Sequence, residues 1–274
     1  MSNEVIEIKH DKFFLDNPVF TSNDFRKYLL PRNISNRTQG ALISYYRKTC
    51  RIINIKRGLY ATVPAGSTPE TFSVDPYLLA SKMTPDAVIS HLSVFGFFGN
   101  IYSVRNMFTY SASRPADYFA FQDNSFKGTR FPKALVDRGE ELFEVRIEER
   151  AGMNLRVTSI ERALVDTLDK PELCGSWEEI WRSLGSVGFV DLDKALEYVL
   201  LIGNSTTAAK VGFFLEQHRE ELMVEDRYLE ELEKLRPLNP HYLSRSRREP
   251  GSFVSKWNLV VPEEVLKRSW GEVL

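Results

Sequence analysis

Residues 20–63 carry two helix starts, a proline stop and a β-branched run turning on Lys56-Arg57-Gly58, and no other stretch constrains the fold as tightly. In Phe20-Thr21-Ser22-Asn23-Asp24-Phe25, Thr21 is placed to cap a helix and Asp24 to answer it three residues on, while Phe20 and Phe25 can clasp across the cap. Pro31 disfavours helical geometry in the residue before it, so this helix ends near Leu30. Asn36 and Gln39 mark a second start. From Arg37 to Lys48, the residues Ala41, Leu42 and Tyr45 share a helical face with Thr38, and that face is expected to pack inward. The segment Arg51-Ile52-Ile53-Asn54-Ile55-Lys56-Arg57-Gly58-Leu59-Tyr60-Ala61-Thr62-Val63 reads as two strands with the basic tripeptide at the turn. Helix, turn, helix and basic-tipped hairpin together predict a winged helix-turn-helix over residues 1–66.

In that fold the second helix enters the major groove and the wing touches backbone phosphate. The outward face of the second helix is expected to carry Asn36, Gln39, Gly40, Ile43, Ser44 and Arg47, with Arg37 beside them. Amides pair with adenine edges, Arg with guanine or phosphate, an aliphatic with the thymine methyl, and a glycine lets the backbone come close. Arg51, Lys56 and Arg57 then fall where phosphate contacts belong. Charge distribution points the same way. Residues 1–66 hold 11 Lys and Arg against 5 Asp and Glu, net +6, whereas the remaining 25 against 32 give −7, so a chain of net charge −1 concentrates its basic character in the first quarter. A merely solvated helix face is the plain alternative for the same residues.

Gly66-Ser67-Thr68-Pro69 reads as a linker, and residues 67–274 as a larger mixed domain, giving an α+β chain overall. Asp75-Pro76 opens a helix, with Asp as cap and Pro at its first position. A further helix is expected from Pro85-Asp86 through Ser90, His91, Leu92 and Val94. Four short runs (107–111, 118–121, 142–147 and 155–157) predict a small sheet, and Thr158 with Glu161 a capping box for the helix bearing Ile160, Leu164, Val165 and Leu168. Pro171 closes that helix. Amphipathic helices follow, with Trp177, Ile180, Trp181, Leu184, Leu192, Leu196, Val199, Leu200, Val211, Phe214 and Leu215 expected in the core. Residues 225–234 read as a solvated acidic helix. The basic run Ser244-Arg245-Ser246-Arg247-Arg248 offers Arg245, Arg247 and Arg248 to acid on a partner or to phosphate, or is simply an exposed loop.

The Arg57-Gly58-Leu59-Tyr60-Ala61 wing resembles the N-terminal domain of AbiEi-type antitoxins, transcriptional regulators of abortive-infection toxin–antitoxin operons. Downstream, Asp75-Pro76-Tyr77, Ile89-Ser90-His91-Leu92, Val157-Thr158-Ser159-Ile160-Glu161-Arg162-Ala163-Leu164-Val165-Asp166 and Trp257-Asn258-Leu259 extend the resemblance along nearly the whole chain. It implies an autorepressor that binds double-stranded DNA at its own promoter, and a C-terminal domain that counteracts a nucleotidyltransferase-like toxin. No toxin-neutralising residue can be matched to a motif.

An enzyme is not expected. His10, His91, His218 and His241 lack zincin spacing, no phosphate-cradling Gly-rich loop is found, and His91 reads as a hydrogen-bonded core residue. Glu144-Val145-Arg146 with Asp117 or Asp137 distantly suggests a metal-dependent nuclease, but Arg146 stands where a Lys is wanted and stays protonated. A repressor whose C-terminal domain senses a small molecule is the other alternative. Cys50 and Cys174 show no metal-ligand spacing and read as buried thiols, so neither zinc nor any cofactor is expected. No continuous apolar run long enough for a signal peptide or a membrane span is found, so a cytoplasmic location with no membrane partner is expected.

Overall fold

Phe13 and Phe14 give the start of the chain a reason to be helical. In the computed structural model, which describes residues 3–32, 34–103, 106–244, 249–268 and 270, α1 (Asn3–Asp16) sets Phe13 5.1 Å from Phe20 and Phe14 4.8 Å from Tyr46, centroid to centroid. A short β1 (Val19–Thr21) then leads into α2 (Ser22–Leu29). Thr21 caps α2 as its sequence predicts: the Asp24 amide donates to Thr21 Oγ1 at 3.1 Å and the Thr21 amide to Asp24 Oδ2 at 2.9 Å. Leu30, Pro31 and Arg32 form a 3-10 turn. Helix α3 (Asn36–Lys48) begins one residue earlier than expected, capped by Ser35, whose hydroxyl accepts from the Thr38 amide at 3.2 Å. The hairpin follows, β2 (Ile52–Lys56) and β3 (Leu59–Thr62), in a three-stranded antiparallel sheet ordered β1-β3-β2. Its two-residue turn, Arg57-Gly58, requires a positive φ, and Gly58 supplies +78°.

Strand alternation gives this sheet two apolar faces. Phe20, Ile52 and Tyr60 join Phe13, Phe14, Phe25, Leu29, Ile43 and Tyr46 in one cluster, whereas Val19, Ile55, Leu59 and Ala61 face the other way into the main core of the chain. Removing the first 66 residues would therefore strip a wall from that core.

The rest runs α4 (Pro76–Ser81), β4 (Val88–Ile89), α5 (Leu92–Phe97), β5 (Met107–Ala112), β6 (Phe119–Phe121), β7 (Asn124–Arg130), α6 (Lys133–Val136), β8 (Val145–Arg150), β9 (Met153–Thr158), α7 (Ile160–Asp169), α8 (Trp177–Gly185), α9 (Leu192–Ile202), α10 (Ser205–Gln217), α11 (Asp226–Lys234), β10 (His241–Tyr242), β11 (Gly251–Val254), β12 (Leu259–Pro262) and α12 (Glu263–Lys267). The mixed six-stranded sheet is ordered β6-β7-β5-β4-β9-β8 and the last three strands form a small sheet of their own, β10-β12-β11. The chain is thus a mixed α+β protein with several sheets. Among the described residues no helix is long and apolar enough to cross a membrane.

Several expectations are corrected. The helix expected from residue 85 is not there: Val88 and Ile89 form a strand inside the six-stranded sheet, and a helix begins only at Leu92. A strand buried on both faces is as continuously apolar as a buried helix, and periodicity does not separate them. His91, at this strand-to-helix corner, has φ +57 and is buried, its Nδ1 2.9 Å from Ser90 Oγ. Helix α7 is capped by Ser159 rather than Thr158, and Glu161 accepts instead from the Asp191 amide at 3.2 Å. Leu200 is exposed, not core. Cys174 is buried as expected, but Cys50 is exposed in the turn after α3.

Candidate nucleic-acid interface

Where α3 is capped fixes which of its residues point out. Ile43 and Tyr46 are buried, with Leu42 and Tyr45 half-buried beside them. The exposed stripe runs Arg37, Gly40, Ala41, Ser44, Lys48, flanked by Asn36 and Arg47. This rotates the expected face: Ile43 belongs inside, and Ala41 and Thr38 outside. Anchoring by Tyr46, which the sequence reading left out of the inward face, accounts for the rotation, since its ring packs against Phe14. Arg37, Arg47 and Lys48 form no ion pair among the described residues. Gly40 is not required by internal packing, because an added Cβ would meet nothing within 4 Å. A glycine there weakens the helix by about 1 kcal/mol relative to alanine, so its presence with open space above it suits a surface that something approaches closely.

The remaining expected contacts divide. Gln39 is spent inside the chain, donating from Nε2 to the Ser22 carbonyl at 2.7 Å, so its amide is not displayed to a groove. Arg51 pairs with Asp11 at 2.9 Å, donates to the Val63 carbonyl at 3.3 Å and lies over the Phe14 ring, tying α1 to the hairpin. Lys56 turns toward the larger part of the chain, donating to the Met83 carbonyl at 3.2 Å, and burial pushes its pKa down. Arg57 stays exposed at the turn, without an ion pair among the described residues. Arg245, Arg247 and Arg248 lie outside the described residues.

Sequence reasoning missed three cations, Lys27, Lys82 and Arg156, which join Lys56 and Arg57 around a cleft of about 390 Å³ between the α2–hairpin corner and the larger part. They are scattered over 130 positions and no local pattern unites them. Asp24 is the one carboxylate in the lining. Burial opposes its ionisation, but the Thr21 amide and the Lys82 ammonium 3.0 Å away outweigh that and hold its pKa below the ordinary carboxylate value.

The carboxylates considered for a nuclease do not converge. Asp117 precedes β6 and Glu144 precedes β8, at opposite edges of the six-stranded sheet. Asp117 pairs with Lys127, Asp137 with Lys133, and Glu144 with Lys194. Among the described residues no group of three or more His, Cys, Asp and Glu could hold a metal ion.

No protein-family model matches the chain, and no curated protein matches it. Among solved structures it is similar to the crystal structure of the Rv2827c protein from Mycobacterium tuberculosis, with TM-score 0.61 and 17% identity over 98% of this chain and 94% of that one. That likeness is one of fold.

Proposed function

We propose that the protein is a winged helix-turn-helix regulator that binds double-stranded DNA at its own promoter, acts in the cytoplasm, and uses residues 67–274 to counteract a nucleotidyltransferase-like toxin. The observation that carries the DNA half is the outward face of α3, where Arg37, Arg47 and Lys48 stand without carboxylate partners around Ser44 and the uncovered Gly40. The order helix, strand, helix, helix, hairpin, with the sheet arranged β1-β3-β2, supports the winged-helix reading. Asn36, Arg37, Ser44 and Arg47 are the base- and phosphate-reading candidates, and Arg57 a phosphate contact. The toxin half rests on the resemblance to AbiEi-type antitoxins.

A gel-shift of the full chain on the DNA upstream of its own gene, with excess competitor, tests the DNA half. Specific retention by the wild type and its loss in Ser44→Glu, at unchanged melting temperature, is the expected pair of results; retention that ignores Ser44→Glu would refute the α3 assignment. Point variants replace truncation because the hairpin helps to wall the main core.

One observation favours a second reading, a ligand-responsive repressor. A cavity of about 340 Å³, lined by Phe14, Leu15, Pro18, Val19, Phe72, Val74 and Leu78 with Arg51 and Asp75 at its side, lies where α1 meets the segment leading to α4. Apolar cavities with few polar groups are ordinary ligand sites. A Leu78→Trp variant that fills it should leave DNA retention intact on the first reading and alter it on the second.

A further inference from the structure

We propose that two copies of this chain pair through the open edge of β8, antiparallel and with Ile147 opposite Ile147 of the second copy, so that the six-stranded sheet continues from one molecule into the other. The contact uses no residue of the α3 face, so it and the DNA reading can fail separately.

An open sheet edge is a template for another strand, and the molecule blunts most of its own. Strands β1 and β6 are three residues long, β10 two and β11 four, and β2 carries a register shift between Asn54 and Lys56. Strand β8 differs. It runs six residues, Val145–Arg150, in regular register with β9, and among the described residues no other strand pairs with it. It holds neither proline nor glycine. The Ser159 amide donates to the Glu144 carbonyl at 2.7 Å, which fixes the alternation: Glu144, Arg146 and Glu148 turn their backbone groups toward β9, whereas Val145, Ile147 and Glu149 turn theirs away. The Val145 amide returns to the Leu142 carbonyl at 3.1 Å. Its carbonyl, and both backbone groups of Ile147 and Glu149, have no backbone partner among the described residues. Ile147, β-branched and 63% exposed, sits in the middle of this edge.

Charges on an edge strand ordinarily keep a second strand away. Here their order selects a copy of the same strand. A two-fold pair of edges is antiparallel, and outward backbone groups can bond only outward ones. With Ile147 opposite its own copy, Val145 faces Glu149 and Arg146 faces Glu148 across the seam, while Glu144, already held by Lys194 at 3.1 Å, faces Arg150, already bonded to Asp75 at 2.6 Å. Sliding one strand by two residues reverses the signs. One direction opposes Arg146 to Arg146 and Glu144 to Glu148; the other opposes Glu148 to Glu148 and Arg146 to Arg150. Opposite charges facing each other stabilise a strand pair and like charges destabilise it, so the Ile147-centred register is the favoured one. Its charged groups are available: Glu148 and Glu149 form no ion pair among the described residues, and Arg146 reaches only Glu144, at 3.9 Å.

Sedimentation equilibrium of the full chain without DNA, from micromolar to submillimolar concentration, tests the pairing. So short an edge makes a small interface, and the dimer is expected to dissociate in the micromolar range. Arg146→Glu and Glu148→Arg should each weaken it about tenfold or more at unchanged melting temperature, because every dimer loses the pair twice. Combining the two substitutions restores opposite charges and should restore the dimer. Ile147→Lys should leave a monomer. In a Cys50→Ser background, oxidised Ile147→Cys should give a disulfide-linked dimer, since facing residues of a hydrogen-bonded pair have Cα atoms about 5.5 Å apart, and Glu149→Cys should not. A wild type that stays monomeric over the whole range overturns the inference. So does a dimer indifferent to Ile147→Lys, which would lie on another surface, or one that the combined charge swap does not regain.

Discussion

Helices α3 and α7 are both rich in polar residues, and the molecule treats them in opposite ways. On α7, Arg162 is fully buried and donates to the Glu141 carbonyl at 2.9 Å and the Phe143 carbonyl at 2.5 Å, with Asp166 3.6 Å away. Asp166 accepts in turn from the Tyr198 hydroxyl at 2.7 Å. On α3, Arg37, Arg47 and Lys48 stay in solvent with no carboxylate to meet them. A charge bonded inside the chain serves structure; a cluster left open on one helix face is free to meet an external partner.

Substituting Arg162→Met breaks this contrast most severely. It strands Asp166 and two carbonyls, and an unpaired buried charge costs about 3–5 kcal/mol. Urea unfolding measures it, and a loss below about 1 kcal/mol would show that the α7 network is not structural. Arg37→Met should change stability by no more than about 0.5 kcal/mol, as surface substitutions do.

Packing in the larger part gives the next effect. Gly212 on α10 faces Trp257, and a Cβ there would lie 2.2 Å from the indole, which is fully buried and donates to Glu216 Oε2 at 2.6 Å. Overpacking of this kind costs about 1–3 kcal/mol. Gly212→Ala should accordingly lower the thermal midpoint while leaving DNA affinity per folded molecule unchanged.

The burial of His91 also sets a pH response. Burial, with Lys170 nearby, lowers the His91 pKa from 6.5 to about 3. Between those values the unfolded chain binds the proton and the native one does not, so this contribution is fully present above about pH 6.5 and is lost progressively as pH falls toward 3. From pH 7 to pH 5 the loss is about 2 kcal/mol. Asp166 acts in the opposite sense, because burial raises its pKa and the native state holds that proton more readily than the unfolded chain. The difference between wild type and His91→Gln in denaturant isolates the histidine, and parallel pH profiles for the two would contradict the assignment.

Among the substitutions that break an internal contact, Gln39 gives the smallest effect. Because its amide is bonded to Ser22, Gln39→Ala should cost about 1 kcal/mol of stability and leave base preference at every operator position unchanged. A shift at one position would return Gln39 to the interface.

Local signals carried much of the fold. The Thr21–Asp24 capping box, the stop at Pro31, the hairpin on Arg57-Gly58, the Asp75-Pro76 start and the apolar faces of α7 and α8 are all read within a few residues. What failed to show depends on distant partners. Helix α1 is buried through Phe13 and Phe14 against residues that come later, and β1 is three residues long. Val88 and Ile89 read as helix until the sheet around them is known. In the candidate site, the exposure of Arg37, Ser44 and Arg47 was legible because the helix period places them close to the outward stripe. The internal partners of Gln39, Arg51 and Lys56 left no local signal, because Ser22, Asp11 and Met83 lie 17 to 40 positions away.

Site-specific photocrosslinking tests the placement of α3 against DNA most directly. In a Cys50→Ser background, Ala41→Cys on the outward face of α3 and Glu230→Cys on the exposed side of α11 would each carry a photoactivatable label and be irradiated with the upstream duplex. A protein–DNA adduct is expected from position 41, competed by unlabelled operator, and none from position 230. No adduct at 41, or equal adducts at both, would contradict the assignment of α3 as the DNA-reading helix.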